Sequence, residues 1–203
     1  MTKILAADIG FTSTGMAIFE LTAKGGRLFD TKCLHTEQAH TKQTIKNGRK
    51  IKSRLSSVAH DDVRRTEFLA CGIMNYFIEN QCKGMVCEIP HGGAQDAKAA
   101  KCMGAATGMI ATVRTALQCP AVWVTPNESR AAAGWDKDEH PRGEMTADQY
   151  KKFQKTFVMS VMGKKYPAIA GLKLGDKEHI ADACATFEAA RGRQLLAMME
   201  GLK

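Results

Sequence analysis

The chain has 203 residues, of which 44% are hydrophobic and 25% are charged, so it has the composition of a globular protein with a proper core. Its net charge of +8 at pH 7 favours an anionic partner, most often a nucleic acid. The apolar run at residues 4–7 is too short for a signal peptide, and no apolar run reaches the roughly 18 residues of a membrane span. We therefore expect one domain, residues 1–203, in a cytoplasm.

The seven cysteines agree with a reducing compartment. Their number is odd, no C-x-x-C pair occurs, and most of them lie in apolar stretches. They are expected to be buried, reduced thiols rather than a disulfide framework.

The first third of the chain predicts an antiparallel meander. Residues 3–9 form a short apolar run that is typical of a buried strand, and residues 15–22 and 27–34 predict two more strands. The links between them, a turn bracketed by Gly10 and Gly15 and then Lys24-Gly25-Gly26, are too short for a crossover helix.

The segment that follows, residues 38–60, contains no acidic side chain. Six basic residues surround its Asn47-Gly48 pair: Lys42, Lys46, Arg49, Lys50, Lys52 and Arg54. Such a segment is either a solvated arm or an arm that contacts phosphates. The net charge of the whole chain favours phosphate contacts, with Lys46, Arg49, Lys50 and Lys52 as the nucleic-acid-binding residues.

The remainder alternates between helices and short strands. Strands are expected at 85–87, ending at Glu88, and at 121–124. Helices are expected at about 57–81, 96–118 and 147–162, from Thr125 for a short stretch, and from about 177 onward, with a loop at 134–145. The strands at 3–9, 85–87 and 121–124 should run parallel, joined by helical crossovers. The predicted fold class is α/β, a mixed five-stranded sheet with helices on both faces.

Three acidic residues are expected to converge at one edge of this sheet. Asp8 and Glu88 lie near the carboxyl ends of two parallel strands, where functional groups gather. His179 and Asp182 are three residues apart and share a helix face. Oxygen ligands of this kind select Mg²⁺ or Mn²⁺ rather than zinc, and two such ions can hydrolyse a phosphodiester.

Each residue also has a purely structural interpretation. Asp8 could hydrogen-bond the turn after its strand, and Glu88 could be an exposed charge at a strand end. Asp182 could pair with an internal arginine, because a carboxylate among apolar neighbours needs a partner. His179 could simply occupy the first turn of a helix. The joint placement of the three acids is what favours a metal site.

With these motifs in their order, the sequence resembles the RuvC family of Holliday-junction resolvases, which have an RNase H-like fold. Asp8-Ile9-Gly10 through Thr14-Gly15 looks like the first family motif, and Val86-Cys87-Glu88 looks like the second. The stretch 101–108 with Pro120-Ala121-Val122 is similar to the next helix and strand. His179-x-x-Asp182-Ala183 looks like the C-terminal motif, and the likeness spans nearly the whole chain.

The resemblance implies a site, a cofactor and a partner. Asp8, Glu88 and Asp182 would bind Mg²⁺, with Mn²⁺ as the alternative, and His179 would bind metal or position the attacking water. Arg130 and Lys151 would lie near the cleaved DNA strand. The family consists of homodimers that nick four-way junctions. Two features depart from the family: Ile89-Pro90-His91 replaces the aromatic residue after the second acid, and the basic segment 38–54 is unlike the compact bacterial proteins. Together they indicate a divergent, phage-like enzyme with broader branched-DNA activity, acting in a bacterial or host cytoplasm.

Three rival functions share parts of this pattern. An RNase H-type nuclease would use the same acids on RNA–DNA hybrids and differ in 2′-OH contacts. A non-catalytic junction-binding protein would not need an intact acidic set. An actin-like or sugar-kinase ATPase would require a second domain and a second glycine-rich phosphate loop, for which the chain offers little room.

Overall fold

The structure of the protein, a computed structural model, describes residues 1–22, 25–37, 39–54, 57–90 and 96–191. The strands are β1 (Lys3–Ile9), β2 (Ser13–Thr22), β3 (Gly25–His35), β4 (His40–Lys46), β5 (Arg49–Arg54), β6 (Gly84–Glu88) and β7 (Ala121–Val124). The helices are α1 (Val58–Glu79), α2 (Ala97–Leu117), α3 (Pro126–Ala132), α4 (Ala147–Lys165) and α5 (Leu174–Arg191), with a short 3₁₀ turn at Pro167–Ile169. Within these residues, no helix has the length and apolar character needed to cross a membrane.

Five of the strands form one mixed sheet in the order β3-β2-β1-β6-β7. The meander β1-β2-β3 is antiparallel, whereas β1, β6 and β7 run parallel, joined by the crossover helices α1 and α2. Both features were predicted from the short links and the alternating elements, and the predicted fold class is confirmed.

Side-chain alternation along β1 divides the core between the two faces of the sheet. Ile4 and Ala6 pack with α5 on one face, while Leu5, Ala7 and Ile9 pack with α1 and α2 on the other. Since β1 is the central strand, both of its faces are covered and Ile4 through Ala7 are fully buried. By the same alternation Asp8 belongs to the face that α5 covers.

Helix α5 lies unusually close to the sheet at Gly15 of β2. A Cβ atom added to Gly15 would lie 2.2 Å from the carbonyl oxygen of His179. Farther along α5, the ring of Phe187 stacks on the ring of Phe19 in β2, with the two centroids 3.7 Å apart. A glycine at position 15 therefore lets the α5 backbone contact the strand directly and sets the height of His179 above the sheet.

The basic segment forms a β-hairpin, which the sequence analysis did not predict. Strands β4 and β5 pair antiparallel and make a separate two-stranded sheet. The turn residues Asn47 and Gly48 have φ values of 52° and 72°, as a type I′ turn requires. The sequence analysis assigned no secondary structure to this arm, because the polar strands lack the apolar alternation that identifies most strands.

The other boundaries differ modestly from expectation. Helix α4 extends to Lys165, three residues beyond the predicted end, and α5 begins at Leu174 rather than near 177. The loop at 134–145 and the short helix capped by Thr125 are as predicted. All seven cysteines are free thiols, and four of them are buried. Residues 91–95 and 192–203 lie outside the described part of the chain.

Replacing Gly15 by alanine should destabilise the protein by about 1–3 kcal/mol or more, because the new methyl group overlaps the backbone of α5. Gly104→Ala is the matched control, since no atom lies within 4 Å of a Cβ at Gly104 in α2. The control should gain about 0.5–1 kcal/mol from the better helix propensity of alanine. Urea denaturation measures both, and equal stabilities would contradict the proposed close approach.

Candidate active site

Asp8 and Glu88 lie side by side at the carboxyl ends of two neighbouring parallel strands. The register of β1 and β6 pairs Asp8 with Glu88 directly. Alternation places both on the α5 face, since Ala6 and Val86, two residues earlier in each strand, belong to the core beneath α5. Both carboxylates are half-buried rather than exposed. The interpretation of Glu88 as an exposed strand-end charge is therefore wrong.

Helix α5 brings His179 and Asp182 onto these two carboxylates. His179 Nδ1 lies 3.0 Å from Asp8 Oδ2, a hydrogen bond between residues 171 positions apart in the chain. The helix starts at Leu174, so His179 lies in its second turn. Among the described residues no cation comes within 4.0 Å of Asp182, so the internal ion pair considered from the sequence is not found.

Burial and the crowding of negative charge raise the pKa of two of the acids, Glu88 and Asp182. Burial and the neighbouring Asp8 raise the pKa of Glu88 to about 7, against the opposing effects of a hydrogen bond from the Ser129 hydroxyl and the charge of Arg130. Burial, Asp8 and Glu88 together raise the pKa of Asp182 well above its ordinary value. Carboxylates that repel one another in this way gain stability from any cation that enters between them.

The surroundings favour the charged form of His179, whereas they disfavour the charged forms of Glu88 and Asp182. Its hydrogen bond to Asp8 raises the pKa of His179, although burial works against this. The imidazolium form is thus favoured when no other cation is near Asp8. Because Nδ1 is engaged by Asp8, Nε2 is the ring nitrogen left to contact a metal, a water or a substrate oxygen.

Acidic and basic side chains line one cavity of about 50 Å³, which is room for a few water molecules. Glu88 and Asp182 are the acids of its lining. Arg130 from α3 and Lys151 and Lys155 from α4 are its bases. The structure thus brings the predicted basic residues Arg130 and Lys151 to the predicted acids.

The turn after Asp8 is held by a buried arginine from α1. Arg65 is only 5% exposed, and its guanidinium donates to the Phe11 carbonyl at 3.1 Å and to Thr36 Oγ1 at 3.0 Å. It also lies over the Phe11 ring, 4.2 Å from the centroid. Thr14 Oγ1 donates to the Gly10 carbonyl at 3.1 Å, which closes the turn from within. The backbone that follows Asp8 is therefore fixed by both local and distant contacts.

Sequence reasoning missed several residues of this site. Ser129 hydrogen-bonds Glu88 and lies 3.2 Å from the hydroxyl of buried Thr186. Lys155 pairs with Glu178 and lowers the pKa of Asp182. Lys155 had a usable signal, because it follows Lys151 by one helical turn and shares its face. Ser129 had none, since a lone serine in a short helix is an ordinary feature of many sequences.

The predicted DNA-binding residues of the basic segment fall in the hairpin. Lys46 ends β4, and Arg49, Lys50 and Lys52 lie in β5. Arg49, next to the turn, is exposed. At its base the hairpin is tied to α1, where the Ala39 amide donates to Asp61 at 3.1 Å and Arg64 donates to the Glu37 carbonyl at 2.7 Å.

A second group of metal-binding residue types lies beside the acids. Within the described ranges, Cys33, His35 and Asp176 are the one group whose ligand atoms all lie within 4.8 Å of one another. The oxygens of the acidic set are spread more widely than that. The two sets approach each other through the rings of His35 and His179, whose centroids are 6.4 Å apart.

The sheet order, the crossovers and the covering helix α5 define an RNase H-like fold. Within that class the protein is similar to Thermus thermophilus RuvC, with a TM-score of 0.60 and 13% identity over 99% of this chain and 96% of that one. The same enzyme in complex with a Holliday junction gives a TM-score of 0.57 with 13% identity over 100% and 96%. The yeast mitochondrial Holliday junction resolvase Ydc2 gives 0.54 with 10% identity over 98% and 81%.

No protein-family model matches the chain, and no curated protein matches its sequence. At such low identities the structural similarity establishes the fold. The RuvC-like, RNase H-like architecture that the motifs implied is therefore confirmed, and the assignment of function depends on the site.

The raised pKa of Glu88 should make the metal-free protein less stable as the pH rises from about 4.5 to about 7. In that range the folded state binds more protons than the unfolded state, so the free energy of unfolding falls with increasing pH. Urea denaturation in a chelating buffer, at several pH values across the range, measures this slope.

The slope should be smaller in Glu88→Gln, which cannot titrate, and unchanged in Glu139→Gln, which removes an exposed glutamate of the 134–145 loop. Identical slopes in Glu88→Gln and the wild type would show that Glu88 titrates normally. An excess of Mg²⁺ should also flatten the wild-type slope, because bound cations favour the ionised carboxylates.

Proposed function

We propose that this protein is a metal-dependent endonuclease that nicks four-way DNA junctions by phosphodiester hydrolysis. The observation that carries the proposal is the convergence of Asp8, Glu88, His179 and Asp182 beside a cavity that basic residues also line, on a RuvC-like fold. A phosphodiesterase site needs acids that attract divalent cations and bases that attract phosphate.

The donor set fits Mg²⁺ or Mn²⁺. Asp8, Glu88 and Asp182 offer hard carboxylate oxygens. Burial and mutual repulsion raise the pKa of Glu88 and Asp182, and a bound cation would relieve the repulsion. These three residues would hold the metal, with His179 as a further ligand or as a partner of water. When bound, the ions would activate the attacking water and stabilise the leaving oxygen.

The remaining residues orient the substrate and manage protons. Arg130, Lys151 and Lys155 would bind the phosphates of the strand to be cut, because they line the same cavity as Glu88 and Asp182. His179, held at Nδ1 by Asp8, would direct Nε2 toward the water or the departing oxygen. Arg65 would keep the backbone after Asp8 rigid during turnover.

The hairpin β4–β5 supplies a second contact with DNA in this proposal. Its charges, with no acidic residue from 38 to 60, suit the phosphate backbone of a junction arm. We further propose a homodimer, because paired nicks in a nearly twofold-symmetric junction need two sites related by a twofold axis. The enzyme would act in a bacterial cytoplasm, either as a host protein or as a phage-encoded one.

Asp8→Asn should abolish cleavage of a synthetic four-way junction in Mg²⁺ while junction binding persists, because the amide removes a ligand charge but adds no bulk. Nicks are read on denaturing gels and binding by gel shift, with linear duplex, a flap and an RNA–DNA hybrid as parallel substrates. Asp30→Asn, which neutralises an exposed carboxylate of β3 outside the acidic set, should cut like wild type.

Retained nicking in Asp8→Asn would exclude Asp8 from the catalytic set. Cutting of the hybrid alone would assign the protein to RNase H-type nucleases. Tight junction binding with no cutting in Mg²⁺ or Mn²⁺ would show a non-catalytic binding protein.

Replacing Lys46, Arg49, Lys50 and Lys52 by glutamine should weaken junction binding and reduce its salt dependence. For every phosphate that the hairpin no longer neutralises, the slope of log affinity against log salt should fall by about 0.9. Titrations over a series of salt concentrations measure the slope. Asp8→Asn protein is the background of choice, since it removes cleavage from the assay.

A matched control compares Lys50→Gln with Lys83→Gln. Lys83 is an exposed lysine just before β6, at the sheet edge opposite Asp8 and Glu88. The Lys83 variant should keep the wild-type slope. An unchanged slope in the fourfold hairpin variant would show that the hairpin is only solvated.

A further inference from the structure

We propose that Cys33, His35 and Asp176 form a zinc-binding site that fastens the start of α5 to β3. The inference is independent of the proposed nuclease activity. It concerns a different set of ligands, of a different chemical type, from the acidic set at Asp8.

The backbone presents the three donors to one point. Cys33 and His35 are two residues apart on β3 and share the face that α5 covers, while the intervening Leu34 packs on the opposite face. Asp176 comes from the first turn of α5, which crosses over this end of the strand. The ligand atoms, one from each of the three side chains, all lie within 4.8 Å of one another.

The orientation of His35 matches that of a metal-binding histidine. Its Nε2 points to Asp176 Oδ1 at 2.6 Å, and its Nδ1 lies 3.0 Å from the Ser13 hydroxyl of the neighbouring strand. The register pairs Ser13 with His35 across β2 and β3, so this contact is built into the sheet. Metal-binding histidines usually have such a partner on the nitrogen that does not bind the metal.

The chemical types of the three donor atoms indicate which metal ion the site would bind. One sulfur, one nitrogen and one oxygen suit Zn²⁺, whereas Mg²⁺ prefers oxygen alone. His35 is exposed and the other two residues are half-buried, so an ion can enter from solvent and a water can complete four-coordination. Burial and the negative charges of Asp176 and Asp8 raise the pKa of the Cys33 thiol, so the metal has to displace the thiol proton to solvent, while the same two charges attract the incoming dication.

A metal ion bound at this site would hold β3 and the start of α5 together. His35 and Asp176, which are 141 positions apart in the chain, would be joined through the metal next to the point where His179 contacts Asp8. Zinc bound only to the folded protein also raises its stability by mass action.

The test uses Co²⁺ in place of Zn²⁺, because a cobalt–thiolate bond gives a charge-transfer absorption that carboxylates cannot produce. Purified full-length protein, reduced and metal-free, is titrated with Co²⁺ and then with Zn²⁺. We expect one thiolate-bound cobalt per chain, displaced by zinc. The band should be lost in Cys33→Ser and retained in Cys71→Ser, which removes an exposed thiol of α1 instead.

Two further measurements keep the result independent of folding and of the acidic set. Ser13→Ala leaves all three ligands in place and should weaken zinc binding by about 10–100-fold, as loss of a partner of a ligating histidine does. Zinc should raise the melting temperature of wild type more than that of Cys33→Ser. Absence of a thiolate band in wild type, or a band that persists in Cys33→Ser, would overturn the assignment.

Discussion

The alternation of side chains along β1 is the constraint from which the rest of the structure follows. It commits every second residue to the face beneath α5, so the same pattern that buries Ile4 and Ala6 places Asp8 under the helix. The parallel register repeats this for Val86 and Glu88. A one-residue slip of either strand would turn its acid to the opposite face and bring an apolar side chain to the site.

Close packing and charge repulsion act against each other at this edge. Gly15 lets α5 approach the strands closely enough for His179 to reach Asp8, and the same approach buries Asp182. The metal-free fold therefore carries acids whose ionisation is disfavoured, and only His179 offers Asp8 a hydrogen-bonded partner among the residues that the structure describes. Local rules of stability are broken where function is proposed and are kept in the two apolar layers on either side.

Sequence reasoning reached the sheet and the acids because both depend on local patterns. Apolar runs identified β1 and β6, and two strand ends in a parallel sheet necessarily meet. It missed the hairpin, because the polar strands show no alternation of apolar residues. The Asn47-Gly48 pair, a typical hairpin turn, was the one signal that the sequence offered. It also missed the link from Cys33 and His35 to Asp176, since no local pattern specifies which strand a helix 141 residues later will cross.

The hydrogen bond from His179 to Asp8 spans 171 residues of the chain. During synthesis β1 and β6 leave the ribosome before α5 has been made, so Asp8 and Glu88 are at first without the helix that covers them. The nascent chain cannot assemble the acidic set, however well its sheet has formed. Because α5 follows every other described element along the chain, a chain that terminates before α5 lacks His179 and Asp182 and cannot complete the acidic set.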